Sequence, residues 1–389
     1  MLNERIKKLK ISSTLALMAK AEELKAQGRK VISLSVGEPD FPTPEYIKEA
    51  GIRAIREDKT RYTIASGIKE LREALIEIYK REQGYEFGIN EIMIHPGSKF
   101  SIFLIANVLL QEGDRALIPA PYWVSYPEII KFTGAEPVFV NSWNGDNFYY
   151  KFEDYLPEIK KGIKLFILSS PSNPTGIIMK EEELLKLLKA TIEYDFYLLV
   201  DECYRRIIYD GIEYPSPLRI YPQAKERVII SGSFSKTFAM TGWRVGFTFA
   251  PEEIIKYMKI VQSHSTSNPA TPSQYAALSA LIDEKDEIKK MVEKYEKRRN
   301  LVYSLLKEID GIKITKPEGA FYFFPYIKEA IKDKFENSYK FTEYLIEKYQ
   351  VVVVPGEAFG TEGFIRISYA ASEDDIKEGI SKIAKAING

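Results

Sequence analysis

The densest chemistry in the sequence is Ser231-Gly232-Ser233-Phe234-Ser235-Lys236-Thr237, which runs on to Met240-Thr241-Gly242-Trp243-Arg244. Hydroxyls and a planar guanidinium suit a phosphate. A lysine in a partly desolvated site can lose its proton and form an imine with an aldehyde. Together these residue types describe a lysine that holds a phosphorylated aldehyde, although spacing alone leaves Lys236 open as one of many solvated lysines. Further donors for that phosphate are offered where the apolar run 91–94 leads through His95-Pro96-Gly97-Ser98-Lys99 into the periodic segment 100–110. Amides at a helix start bind phosphate through unpaired N–H groups and the helix dipole, but an ordinary cap has the same appearance.

These residues need a frame. Short apolar runs at 91–94, 116–119, 164–169, 196–200, 228–231 and 245–249 read as strands. Between them lie helical spacings such as Leu71/Leu75/Ile78, Phe103/Leu104/Leu110 and Leu184/Leu187/Leu188/Ile192. Strand and helix in alternation mean an α/β unit with a mostly parallel sheet covered on both faces. Such sheets bind ligands beyond the carboxyl ends of their strands, which is where Asp201 and Lys236 fall. After Pro272 the pattern becomes one long charged helix over 276–308, followed by candidate strands at 319–324, 351–355 and 364–369, an α+β lobe. The opening 42 residues carry too little apolar content to stand alone and are expected to pack on that lobe.

Composition narrows the function classes. With 389 residues, 55 Lys+Arg against 55 Asp+Glu and a net charge of zero, the chain has no global field to draw it to nucleic acid or an anionic membrane. One cysteine, Cys203, and two histidines cannot build a common four-ligand zinc cage or an internal disulfide, so no metal is expected. The charged start lacks a secretion signal and no apolar run is long enough to span a membrane, so the expectation is a cytoplasmic protein.

The stretch from Ser233 to Gly246 strongly resembles the cofactor-lysine segment of the fold-type I, pyridoxal-phosphate-dependent class I aminotransferases. So do Pro171-Ser172-Asn173-Pro174-Thr175-Gly176 and Asp201-Glu202-Cys203-Tyr204, and the likeness runs from Ser12 to the C-terminus. Within the family the chain is most similar to the bacterial and archaeal aspartate aminotransferase branch. The resemblance implies a large domain, 43–281, around a mostly parallel seven-stranded sheet flanked by helices, and a small α+β domain from 1–42 and 282–389. It also implies pyridoxal 5'-phosphate bound as an imine to Lys236, with Lys236 as the proton shuttle. Asp201 would meet the pyridinium nitrogen and keep the ring an electron sink. Tyr204 and Asn173 would hydrogen-bond the phenolic oxygen, although Asn173 also suits an ordinary Pro/Asn turn. Gly97, Ser98, Lys99, Ser233, Ser235 and Arg244 would hold the phosphate, and Trp123 would stack on the ring, where unaided reading makes it a core aromatic. Tyr62 would reach the phosphate of the other subunit, which makes the active unit a homodimer. Arg366, with the backbone of Gly37, would take the substrate α-carboxylate. Period two puts it on the face opposite Ile365 and Ile367, where solvation is the alternative.

For the substrate, the branch implies that Lys99, with Ser12, Ser13 and Thr14, receives a distal carboxylate. The expected reaction is ping-pong transfer from L-aspartate to 2-oxoglutarate. Phe100 after Lys99 departs from the branch and leaves aromatic donors or prephenate open. A carbon–sulfur lyase on the same fold is a further alternative, while a regulatory protein would need a DNA-binding module that the first 40 or so residues do not supply. Cys203 reads as a small buried hydrophobe, and His95 and His264 as structural.

Overall fold

The computed structural model describes residues 4–7, 9 and 13–388, without the side chains of 4, 5, 13–18 and 25. The strands in chain order are β1 (Ile32–Ser33), β2 (Ile92–His95), β3 (Arg115–Ala120), β4 (Glu136–Asn141), β5 (Leu165–Ser169), β6 (Tyr197–Asp201), β7 (Val228–Ser233), β8 (Gly246–Phe249), β9 (Tyr322–Phe323), β10 (Val351–Val352), β11 (Val354–Pro355) and β12 (Ile365–Ser368). Seven of them form one sheet in the order β2-β8-β7-β6-β5-β3-β4. β8 is antiparallel to both its neighbours, and every other pairing in the sheet is parallel. The central strands are runs such as Leu165-Phe166-Ile167-Leu168, buried on both faces, as a sheet covered by helices on each side requires.

The edge strand β4 is the strand of this sheet that the apolar runs do not announce. Its residues are exposed or half-buried, and Pro137, which cannot donate to a ladder, is tolerated because an edge has a free side. The long helix expected over 276–308 is two helices, Thr271–Ile282 and Glu287–Lys307. Four consecutive charges, Asp283-Glu284-Lys285-Asp286, interrupt the apolar period, and both Glu284 oxygens are held by Arg206 at 2.8 Å. The run 351–355 likewise divides. β10 pairs with β1 in parallel, and after Val353 the chain turns to pair β11 with β12 antiparallel.

These small sheets face the carboxyl ends of the large one. β1 leads directly into Ser35, Val36 and Gly37, and β12 carries Arg366, opposite Val354 in register. The last residues of β5 and β6, Ser169 and Asp201, and the short helix Phe234–Thr237 after β7 line the same cavity as those segments.

Candidate active site

The cavity between these elements has a volume of about 510 Å³. Its charged lining is Lys99, Lys236, Arg244 and Arg366 against Asp201 and Glu38, four bases to two acids. A cavity with that excess attracts anions.

Lys236 stands in the first turn after β7. Its Nζ donates to the Gly37 carbonyl at 2.5 Å, and burial holds the amine below the usual lysine range. The proton is therefore easier to remove than from a solvated lysine. Asp201 is 5% exposed, and burial pushes its carboxyl up. Two donors oppose that: Tyr126 O–H to Oδ2 at 2.6 Å and the Cys203 N–H to Oδ1 at 3.0 Å. The carboxylate is thus oriented and feels the charge of Lys236, but among the described residues it forms no ion pair.

The opposite wall holds Arg366, which is 7% exposed. Nη1 donates to Asn173 Oδ1 at 3.0 Å and Nη2 to the Ser35 carbonyl at 2.6 Å, while Nε has no partner among the described residues. Of five N–H groups, two are committed. Among the described residues no carboxylate pairs with this guanidinium, and its burial lowers the pKa. A buried cation without a counter-ion is costly unless a ligand anion completes it. The ring of Tyr322 lies 4.4 Å from its centre and that of Phe359 5.0 Å, so the fork is fixed in direction. Tyr204, also buried, shares a 2.7 Å hydrogen bond with the Tyr322 hydroxyl.

The anion cradle is at the start of helix Ser98–Leu109. Phe100 and Ser101 N–H both close on the Gly97 carbonyl, which leaves Ser98 and Lys99 as the open amides of the first turn. Gly97 has φ +82, and a Cβ there would come within 2.5 Å of Arg244 Nη2. Gly246 is equally constrained, since its Cβ would meet Ser98 N at 2.7 Å. The two glycines keep open the space where helix amides, the Arg244 guanidinium and the Ser235 hydroxyl converge. Arg244 donates to backbone carbonyls of Thr241 and Pro96, at 2.8 and 3.4 Å, and to no carboxylate among the described residues. Lys99 holds its ammonium 4.9 Å from the Trp123 ring, and desolvation, with Arg244 nearby, lowers its pKa. Beneath the cradle His95 is fully buried, hydrogen-bonded to Gly97 O and Thr248 Oγ1, and pushed down to about 3 by burial.

The donor set suits a ligand with a phosphate at the helix start, a carbon that reacts with an amine at Lys236, a basic ring atom at Asp201 and a carboxylate at Arg366. Of the residues singled out in the sequence, Lys236, Asp201, Tyr204, Asn173, Gly37, Ser98, Lys99, Trp123, Ser235, Arg244 and Arg366 line this one cavity. Gly97 lies directly behind Arg244. Ser233 is outside the lining; its Oγ accepts the Ser235 N–H and caps the short helix. Tyr62 is 89% exposed and also outside it. Ser12 lies outside the described residues, and of Ser13 and Thr14 the backbone alone is described, at the start of helix Ser13–Ala26. Cys203 lines the wall, with burial pushing its thiol up to about 12, so it remains unreactive as a nucleophile. Tyr322 and Tyr126 are site residues that sequence reasoning misses. Tyr126 stands in the aromatic run after β3, and Tyr322 in the candidate strand 319–324, but neither position signals its partner.

A sequence profile of the aminotransferase class I and II family matches residues 29–383. A probable aspartate/prephenate aminotransferase of Aquifex aeolicus is 43% identical over 99% of this chain and 98% of its own. An aspartate aminotransferase of Bacillus subtilis is 40% identical over 99% and 98%. Among solved structures, an aspartate aminotransferase from Rhizobium meliloti superposes with a TM-score of 0.94 at 36% identity, covering 100% of this chain and 99% of that one.

Proposed function

The chain belongs to the class I and II aminotransferases, and from that premise we propose that it transfers the amino group of L-aspartate to 2-oxoglutarate with pyridoxal 5'-phosphate held at Lys236. The observation that carries the reading is the buried, uncountered fork of Arg366 in the same cavity as the desolvated Lys236 and the buried Asp201. When bound, pyridoxal phosphate supplies the aldehyde and a protonated ring nitrogen that withdraws electrons from the substrate α-carbon.

The residues then divide the work. Asp201, oriented by Tyr126 and the Cys203 amide, would keep the proton on the ring nitrogen. Ser98 and Lys99 amides, Ser235, Arg244 and, behind them, Gly97 and Ser233 form the phosphate end. Trp123 would pack on the ring, and Asn173 and Tyr204 would hold its phenolic oxygen. Arg366 would orient the α-carboxylate so that the Cα–H bond faces Lys236, whose Nζ, freed when the substrate amine takes its place, would accept that proton. Gly37 holds the same amine through its carbonyl. Lys99, with Ser13 and Thr14, is assigned to the distal carboxylate of aspartate.

The reading extends to a cytoplasmic homodimer in which exposed Tyr62 reaches the partner's phosphate, and to a division into a large domain, 43–281, and a small one from 1–42 and 282–389. No helix among the described residues is long and apolar enough to cross a membrane. Prephenate is the second acceptor to consider, because the Aquifex aeolicus relative is named for it as well as for aspartate.

The test is a half-reaction. Holoenzyme mixed with aspartate alone is expected to move its absorbance from the imine to the amine form of the cofactor, and 2-oxoglutarate to reverse it. Prephenate reversing it at a comparable rate would support the second acceptor. No shift with any amino acid would reject transamination, and release of pyruvate and ammonia without an acceptor would indicate a lyase.

A further inference from the structure

We propose that Tyr322 is a positioning residue that strengthens Tyr204 as a hydrogen-bond donor and seats Arg366, so that one ring tunes both ends of the substrate site. The inference rests on the pyridoxal phosphate reading above. Tyr322 lies on β9, where it pairs in register with Ser368, two residues beyond Arg366 on β12. It is fully buried and lines the cavity. Its hydroxyl is 2.7 Å from that of Tyr204, its ring is 4.4 Å below the Arg366 guanidinium, and its oxygen is 3.2 Å from the place a Cβ on Gly37 would occupy. The segment that holds Lys236 through the Gly37 carbonyl therefore abuts the same side chain.

The direction of the tyrosine pair follows from valence. Each hydroxyl has one hydrogen. If Tyr204 spends its own on a bound ligand, the short contact between the phenols leaves Tyr322 as donor and Tyr204 as acceptor. Accepting a bond polarises the Tyr204 O–H and makes its onward donation stronger. Burial holds both phenols protonated, which keeps the chain intact across ordinary pH. The titratable groups facing the pair are Arg366, Cys203, Tyr295 and Tyr369, with Lys236 and Glu38 further along the cavity. The ring acts on Arg366 separately. A cation held over an aromatic face is fixed without being neutralised, so Arg366 keeps its charge for the substrate.

The experiment separates hydroxyl from ring. Tyr322→Phe keeps the ring and removes the donor; Tyr322→Leu removes both. The pH midpoint of the cofactor absorbance is read in holoenzyme of wild type, Y322F, Y204F and the double variant. A weaker bond to the phenolic oxygen leaves more negative charge to hold the neighbouring imine proton, so the midpoint is expected to rise in Y322F by roughly half a pH unit or more. It should rise further in Y204F, and no further in the double variant, because the effect passes through Tyr204. KM for the amino acid should stay within about twofold in Y322F and rise about tenfold in Y322L. An unchanged midpoint in Y322F, or additive shifts in the double variant, would overturn the hydroxyl role; equal KM for the Phe and Leu variants would overturn the seating of Arg366. A wild-type protein with no cofactor absorbance at all would instead overturn the reading on which the proposal rests.

Discussion

Replacing Lys236 with alanine is expected to lower steady-state transamination by about 10⁴-fold, the upper end of what a positioned general acid–base group contributes. The size of the effect follows from the surroundings. Among the ionisable residues of the cavity wall, the other cations are Lys99 at the helix start, committed to the Trp123 face, and two arginines that cannot lose a proton. None can stand in for the amine at the Gly37 carbonyl. Lys236→Arg is the informative companion, since it restores charge but not a removable proton. Equal losses in the Ala and Arg variants, measured as kcat, are expected if proton movement is the function of the residue. Substantial activity in the arginine variant would mean that the charge alone matters.

The second large effect is at the other wall. Arg366→Leu is expected to reduce kcat/KM for the amino acid by about 10³-fold, because truncating one partner of a buried, hydrogen-bonded charge pair costs roughly 4 kcal/mol. Stability should not fall with it. The guanidinium is desolvated and has no anionic partner among the described residues, so an apolar side chain of similar reach relieves an unfavourable burial, although it releases the Asn173 and Ser35 contacts. A thermal midpoint equal to or above that of the parent, alongside the loss of kcat/KM, is the expected pair of results. A large drop in thermal stability with activity preserved would mark Arg366 as a structural residue and leave the substrate without its carboxylate site.

Much of this frame is legible in the sequence because the buried strands leave a strong signal. β6 and β7 read as runs of Leu, Val and Ile, and the polar residues that follow such runs fall at the carboxyl ends, which is what points to Asp201 and Lys236. Alternation along β12 separates Arg366 and Ser368 from Ile365 and Ile367, but all four are buried, so the pattern does not distinguish a solvated face from a covered one. The cover is Tyr322 and Phe359. No local pattern encodes such partners: Tyr204 and Tyr322 are 118 positions apart, and Arg366 and Ser35 are 331. The edge strand β4 is hidden by Pro137, and the helix break at 283–286 by charges that read equally well as a solvated helical face. The roles proposed for Trp123 and Tyr62 come from the family resemblance, since neither spacing nor burial would suggest them; Tyr62 lies on the open surface.

The claim beneath all of this is that the resting protein carries its cofactor on one particular amine. Borohydride reduction of protein incubated with pyridoxal phosphate, followed by proteolysis and mass spectrometry, tests it most directly. A single reduced adduct on the peptide containing Lys236 is the predicted result. An adduct on Lys99 or any other lysine instead, or none after incubation with excess cofactor, would contradict it.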